Sequence, residues 1–241
     1  MNFASTFSFS EIIAQNRHLE SVVERMDFAK SSWGLPIIDV CRNSVYSEGF
    51  ALAVLKAFDE NHQFPTDLLL QYPIRAILNY LKATHRYYLE RKLPEIEQTF
   101  FNLIADYKAT HPDLVRISSL FIDYKKELTA HIVDEELTLF PYIENLIFHS
   151  ENRNDDKAMY TEVANYSLQQ FEESHEDVEK SLSHIRELIY HYAPQDSLVM
   201  PFRVFLLQMD FFEKDLNCHG FMEDLVLMPL ALQLEVTLKN S

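Results

Sequence analysis

Two stretches of this chain, HIVDEELTLFP from His131 to Pro141 and HGFMEDLVLMP from His219 to Pro229, repeat one pattern. Each places a Glu four residues after a His, follows it with an acidic neighbour, and ends on Pro. On an α-helix, residues i and i+4 share one face about 6 Å apart. His131 with Glu135, and His219 with Glu223, therefore each aim an imidazole and a carboxylate at one point. Imidazole nitrogen and carboxylate oxygen suit Fe, Mn or Zn, whereas copper(I) and iron–sulfur clusters call for thiolates. A single His/Glu pair of this kind is common on solvated helix faces. Two in matching frames are a different matter.

Such pairs need long helices facing one another. From about Tyr72 onward apolar residues recur at three- and four-residue spacing, as in Phe121, Tyr124, Leu128 and Ile132. The periodicity predicts four long helices, near 73–108, 112–150, 159–192 and 196–238. ATHPD (109–113), SENRNDD (150–156) and APQD (193–196) separate them, with Asp113 and Asp196 placed as helix caps. Short connections make sequential helices antiparallel, which gives an up-down-up-down four-helix bundle over residues 67–241. Pro141 and Pro229 interrupt the pattern and should kink or end their helices nearby.

The first and third helices also carry a His each, His85 and His175. His85 lies about 26 residues before the first loop and His131 about 20 after it. At roughly 1.5 Å per residue the two differ in height by about 9 Å at most. His131 and His175 flank their loop evenly, and His175 and His219 nearly so. Four imidazoles and two carboxylates thus fall in one layer, as in a two-iron or two-manganese centre. Burying that layer without metal would be costly unless its groups were paired or neutral.

Residues 1–66 have a different texture and read as a small helical N-terminal domain. Within it, 8–26 suggests one helix capped by Ser10, and the stretch from Pro36 to Asn61 suggests shorter helices. Composition agrees with an all-α chain: 241 residues contain three Gly, and 47% of them are hydrophobic. The net charge of −16 argues against a nucleic-acid partner, because phosphate binding needs a basic surface. No stretch is apolar and long enough for a membrane span, and the N-terminus lacks the basic start of a secretory signal. With Cys41 and Cys218 alone there is no disulfide framework, and a reducing cytoplasmic location is expected.

HIVDEELTLFP resembles the H-x-x-x-E-E-x-x-L-F-P signature of hemerythrin-like (HHE) domains, and HGFMEDLVLMP resembles its second copy. SHEDVEKSL (174–182) and THRYYLERKLPEI (84–96) are similar to the motifs of the third and first helices of such domains. The combination looks most like the di-iron Repair of Iron Centres family, whose short N-terminal domain FSFSEIIAQNRHLESVVERMDF (7–28) also resembles. The resemblance implies six ligands: His85, His131, Glu135, His175, His219 and Glu223, with the two Glu bridging. It implies two non-haem Fe ions, with Mn or Zn as substitutes, in a stress-response protein that repairs or supplies iron to damaged iron–sulfur clusters. Clients would be iron–sulfur proteins, small ligands would be O2 or NO, and the chain would be a monomer or a homodimer.

This chain departs from that family in three ways. Ala29 and Lys30 stand where it has a cysteine pair, so the thiol chemistry of that domain is absent. His85 precedes Leu93 by eight residues, where some relatives have seven, the position of Arg86. Glu179 follows His175 at i+4 as an extra carboxylate. A hemerythrin-like module that binds or senses O2 or NO without repair, and a bundle kept without metal, remain as rival readings.

Overall fold

A computed structural model describes residues 5–59, 63–152, 168, 184–188 and 200–239. The fold is an all-α helical bundle. Near the N-terminus lie α1 (Phe9–Gln15), α2 (Leu19–Glu24), α3 (Ile37–Cys41), α4 (Glu48–Ala57) and α5 (Thr66–Leu69). Then come α6 (Ile74–Tyr87), α7 (Leu93–Tyr107), α8 (Asp113–Asp134) and α9 (Phe140–Asn152). After the region expected to hold the third long helix, which lies outside the described residues apart from 168 and 184–188, follow α10 (Met200–Met222) and α11 (Met228–Lys239). Among the described residues no helix is long and apolar enough to cross a membrane.

Single π turns join these helices in pairs. Tyr88–Lys92 links α6 to α7, Glu135–Leu139 links α8 to α9, and Glu223–Leu227 links α10 to α11. In each, the backbone N–H after the turn reaches back five residues: Leu93 to Tyr88, Phe140 to Glu135, Met228 to Glu223. Each turn is followed, at the second residue of the next helix, by a proline: Pro94, Pro141 and Pro229. A proline inside an α-helix has no N–H to donate and its ring clashes with the carbonyl four residues back. Widening the preceding turn by one residue relieves that clash, and the helix then runs on. The expected kinks are therefore π turns.

Buried side chains flank each turn on both sides: Tyr88 and Leu93, Glu135 and Phe140, Glu223 and Met228. The residue inserted in the backbone keeps the apolar stripe aimed at the core on both sides.

By its contacts the chain divides into two compact units. One comprises Met1–Thr84, Tyr142–Leu168 and Cys218–Ser241. Its core runs through Phe9, Leu19, Phe50, Val54 and Tyr80, all buried, with Tyr46 stacked on Phe50 and Phe58 edge-on to Tyr80. The Cys218 thiol donates to the Ala57 carbonyl at 3.3 Å, and Phe221 meets Phe64 edge-on, so Ala57 and Phe64 hold the helix that carries His219. Arg75–Glu151 and Lys82–Glu144, both 2.7 Å, link α6 to α9 at the surface. Such exposed pairs contribute at most about 1 kcal/mol each, so packing dominates.

Sequence and structure differ here in detail. The helix expected over 8–26 is two helices, capped by Ser8 instead of Ser10. Glu11 N–H donates to the Ser8 hydroxyl, and Ser8 N–H donates to the Glu11 carboxylate. Asn16 turns extended and accepts from the His18 N–H at 3.1 Å, a local bond that competes with the helix and ends α1. Asp113 is the first residue of α8, and Pro112 in front of it makes no side-chain cap bond. Asp196 lies outside the described residues.

The other unit comprises His85–Pro141 and Gln169–Asn217. Helices α7, α8 and α10 bury one contiguous core, including Phe100, Phe121, Phe205 and Phe212. Phe100 stacks on Phe205 at 4.9 Å and meets Phe121 edge-on. Burying each such ring is worth roughly 1.5–3 kcal/mol. Lys125–Glu97 at 2.7 Å ties α8 to α7, and Gln208 donates to Glu95 at 3.0 Å to tie α10 to α7.

Candidate metal centre

His85 lies in the last turn of α6, and His131 in the last turn of α8, directly before the Glu135–Leu139 π turn. Glu135 opens that turn and is buried, as is His85, each with 1% of its side chain exposed. Its two carboxylate oxygens face two different imidazoles. Oε2 lies 3.3 Å from His85 Nε2, and Oε1 lies 3.4 Å from His131 Nε2. The His85 ring stacks on Phe140 at 5.1 Å and 9°, so the first residue after the π turn fixes the plane of the imidazole. His219 and Glu223 repeat the arrangement on α10 and its π turn, with Nε2 and Oε1 3.1 Å apart and both side chains buried.

Glu136, next in sequence to Glu135, places Oε1 3.1 Å from His85 Nδ1. A neutral imidazole carries one N–H, and an ionised carboxylate only accepts. With the Nδ1 proton given to Glu136, His85 Nε2 presents its lone pair to Glu135, acceptor against acceptor. A bound cation or a second ring proton resolves that conflict, which is otherwise costly in a buried place. An imidazole held at its far nitrogen by a carboxylate is also the usual form of a metal-ligating His. The donors fit a divalent ion that takes nitrogen and oxygen ligands.

Among the described residues, His85 and Glu135 in one unit, and His219 and Glu223 in the other, are buried side chains able to offer ligand atoms to a metal ion. His131 is partly exposed and reaches Glu135 directly. His175 and Glu179 lie outside the described residues. Sequence reasoning noted Glu136 only as an acidic neighbour of Glu135 and assigned it no part. The H-x-x-x-E-E spacing held the signal, but its partner His85 sits on another helix. Tyr88 is fully buried, and its hydroxyl donates to Asp215.

A family model described as the hemerythrin HHE cation binding domain matches residues 76–231. No curated protein matches the chain.

Proposed function

The chain belongs to the hemerythrin HHE cation-binding family, and from that premise we propose that it holds two non-haem iron ions and restores or supplies iron to damaged iron–sulfur clusters under nitrosative or oxidative stress. The observation that carries the metal reading is Glu135, a buried carboxylate with an imidazole Nε2 facing each of its oxygens. In this reading His85, His131, Glu135, His175, His219 and Glu223 are the ligands, with Mn or Zn as substitutes. His175 enters on its sequence position alone.

When bound, the iron pair supplies redox change and affinity for small ligands such as O2 and NO. The chain's own residues do the rest. Glu135 and Glu223 offset the charge of the ions, Phe140 keeps water from one face of His85, and burial strengthens every charge interaction in the site. Iron–sulfur proteins in a reducing cytoplasm are the clients on this reading.

A second reading, reversible binding or sensing of O2 or NO without repair, draws support from the N-terminal helices. Ala29 and Lys30 supply no thiol, and burial, with Glu48 nearby, pushes the Cys41 thiol up to about 11. No thiolate is offered there at neutral pH. Anaerobic, iron-loaded protein mixed with a cluster-damaged dehydratase separates the two. Recovery of the client's activity at the expense of bound iron supports repair, and NO or O2 binding without recovery supports the second reading. Protein from iron-replete anaerobic growth that carries only trace metal overturns both.

A further inference from the structure

We propose that Glu136 is a positioning residue that locks the His85 ring with its proton on Nδ1 and its Nε2 lone pair turned to the ion, an inference resting on the metal-centre reading above. The contact is 3.1 Å from Nδ1 to Oε1, and it joins residues 51 apart in sequence on two different helices. Because a carboxylate has no proton to give, the hydrogen of this bond belongs to His85. Glu135 and Glu136 are consecutive, and consecutive residues diverge by about 100° around a helix. That divergence suits two nitrogens on opposite edges of one imidazole: Glu135 faces Nε2 at 3.3 Å while Glu136 holds Nδ1.

The two carboxylates differ in burial. Glu135 is 1% exposed, whereas Glu136 is 35% exposed, so Glu136 keeps its charge in contact with water while gripping a buried ring. Phe140 stacks flat on that ring and sets its plane, and Glu136 acts on the two things stacking does not set, rotation within the plane and the tautomer. A residue in this place raises the basicity of the ligand nitrogen and removes the wrong tautomer, without touching the ion.

The test compares the full-length protein with Glu136→Ala and Glu136→Gln. One readout is the His85 ring 15N and N–H resonances, taken both metal-free and loaded with diamagnetic Zn2+. The other is iron affinity by chelator competition. Wild type should show a His85 Nδ1–H protected from exchange in both states. Glu136→Ala should lose that protection and bind iron about 10- to 100-fold more weakly. Glu136→Gln, whose amide oxygen accepts the same bond, should keep the Nδ1 proton and recover most of the affinity. A wild-type His85 carrying its sole ring proton on Nε2, or a Glu136→Ala protein with unchanged resonances and affinity, overturns the proposal. The metal-free spectra test Glu136 by themselves, so a wild type that takes up no iron counts against the metal reading and not against this contact.

Discussion

The backbone N–H of Phe140 donates to the carbonyl of Glu135, five residues back, and so connects a candidate ligand to the ring that covers His85. The π turn closed by this bond holds one residue more than an α-helix would need. Single-turn π segments inside α-helices are frequent at functional sites, and here each of the three opens within four residues after a candidate ligand His.

Removing the extra residue tests that geometry. Deleting Leu137, which is exposed inside the π turn, together with Pro141→Ala lets α8 run into α9 as uninterrupted α-helix with both apolar stripes in register. Deleting Lys126, exposed in the middle of α8, instead turns one flank of the stripe by about 100°. Chemical denaturation should show cooperative unfolding for the first variant and its loss for the second. Equal damage from both deletions would mean that the π turn stores no spare residue.

Glu135 and Glu223 should dominate metal loading. Wild type is expected to purify anaerobically with about two Fe per chain, the number held by carboxylate-bridged bundle sites. Glu135→Ala removes the carboxylate facing both His85 and His131, and should lower iron content more than His131→Ala, which leaves Glu135 and His85 in place. Elemental analysis gives the ranking directly. An unchanged iron content in Glu135→Ala would remove Glu135 from the ligand set.

Cys41 should be a poor nucleophile. Its thiol is pushed up to about 11, first by burial and then by the charge of Glu48. The folded protein therefore favours the protonated thiol, and that contribution to stability is complete below the ordinary value of 9.0 and fades as pH rises toward about 11. Alkylation of Cys41 by iodoacetamide, followed by mass spectrometry, should be slow at pH 8 and accelerate above pH 9 further than a free thiol does. Rapid labelling of the folded protein at pH 8 would contradict this.

Gly49 and Tyr72 should be coupled. A Cβ placed on Gly49 would sit 2.6 Å from the Tyr72 hydroxyl oxygen, closer than such atoms approach. Gly49→Ala forces the ring to move, although Ala itself favours the helix by about 1 kcal/mol. In a Tyr72→Phe background the obstructing oxygen is gone, and the same substitution should become neutral or stabilising. A double-mutant cycle should return a coupling of about 0.5–3 kcal/mol. Additive effects would show that Tyr72 swings aside without cost.

Much of this molecule is local, and what is local was legible. Helices expected near 73–108, 112–150 and 196–238 are observed as Ile74 to Tyr107, Asp113 to Asn152 and Met200 to Lys239, each with its π turn. The pairs His131/Glu135 and His219/Glu223 meet because i and i+4 share a face whatever the rest of the chain does. Pro141 and Pro229 were also present in the sequence. They were read as kinks or helix ends because a missing N–H says that the α-pattern must break and not how.

Other features depend on contacts that sequence distance hides. Ser8 rather than Ser10 caps α1 because Ser8 lies three residues before Glu11, the spacing at which both capping bonds close. Asn16 ends that helix by bonding the His18 N–H and reaching Asp59 far along the chain. The joining of Glu136 to His85 depends on the height and rotation of α6 against α8. Helix periodicity fixes which face of each helix is apolar, but only the packing of side chains between helices chooses their relative register. That choice decides which of two adjacent carboxylates meets which nitrogen of a ring on another helix.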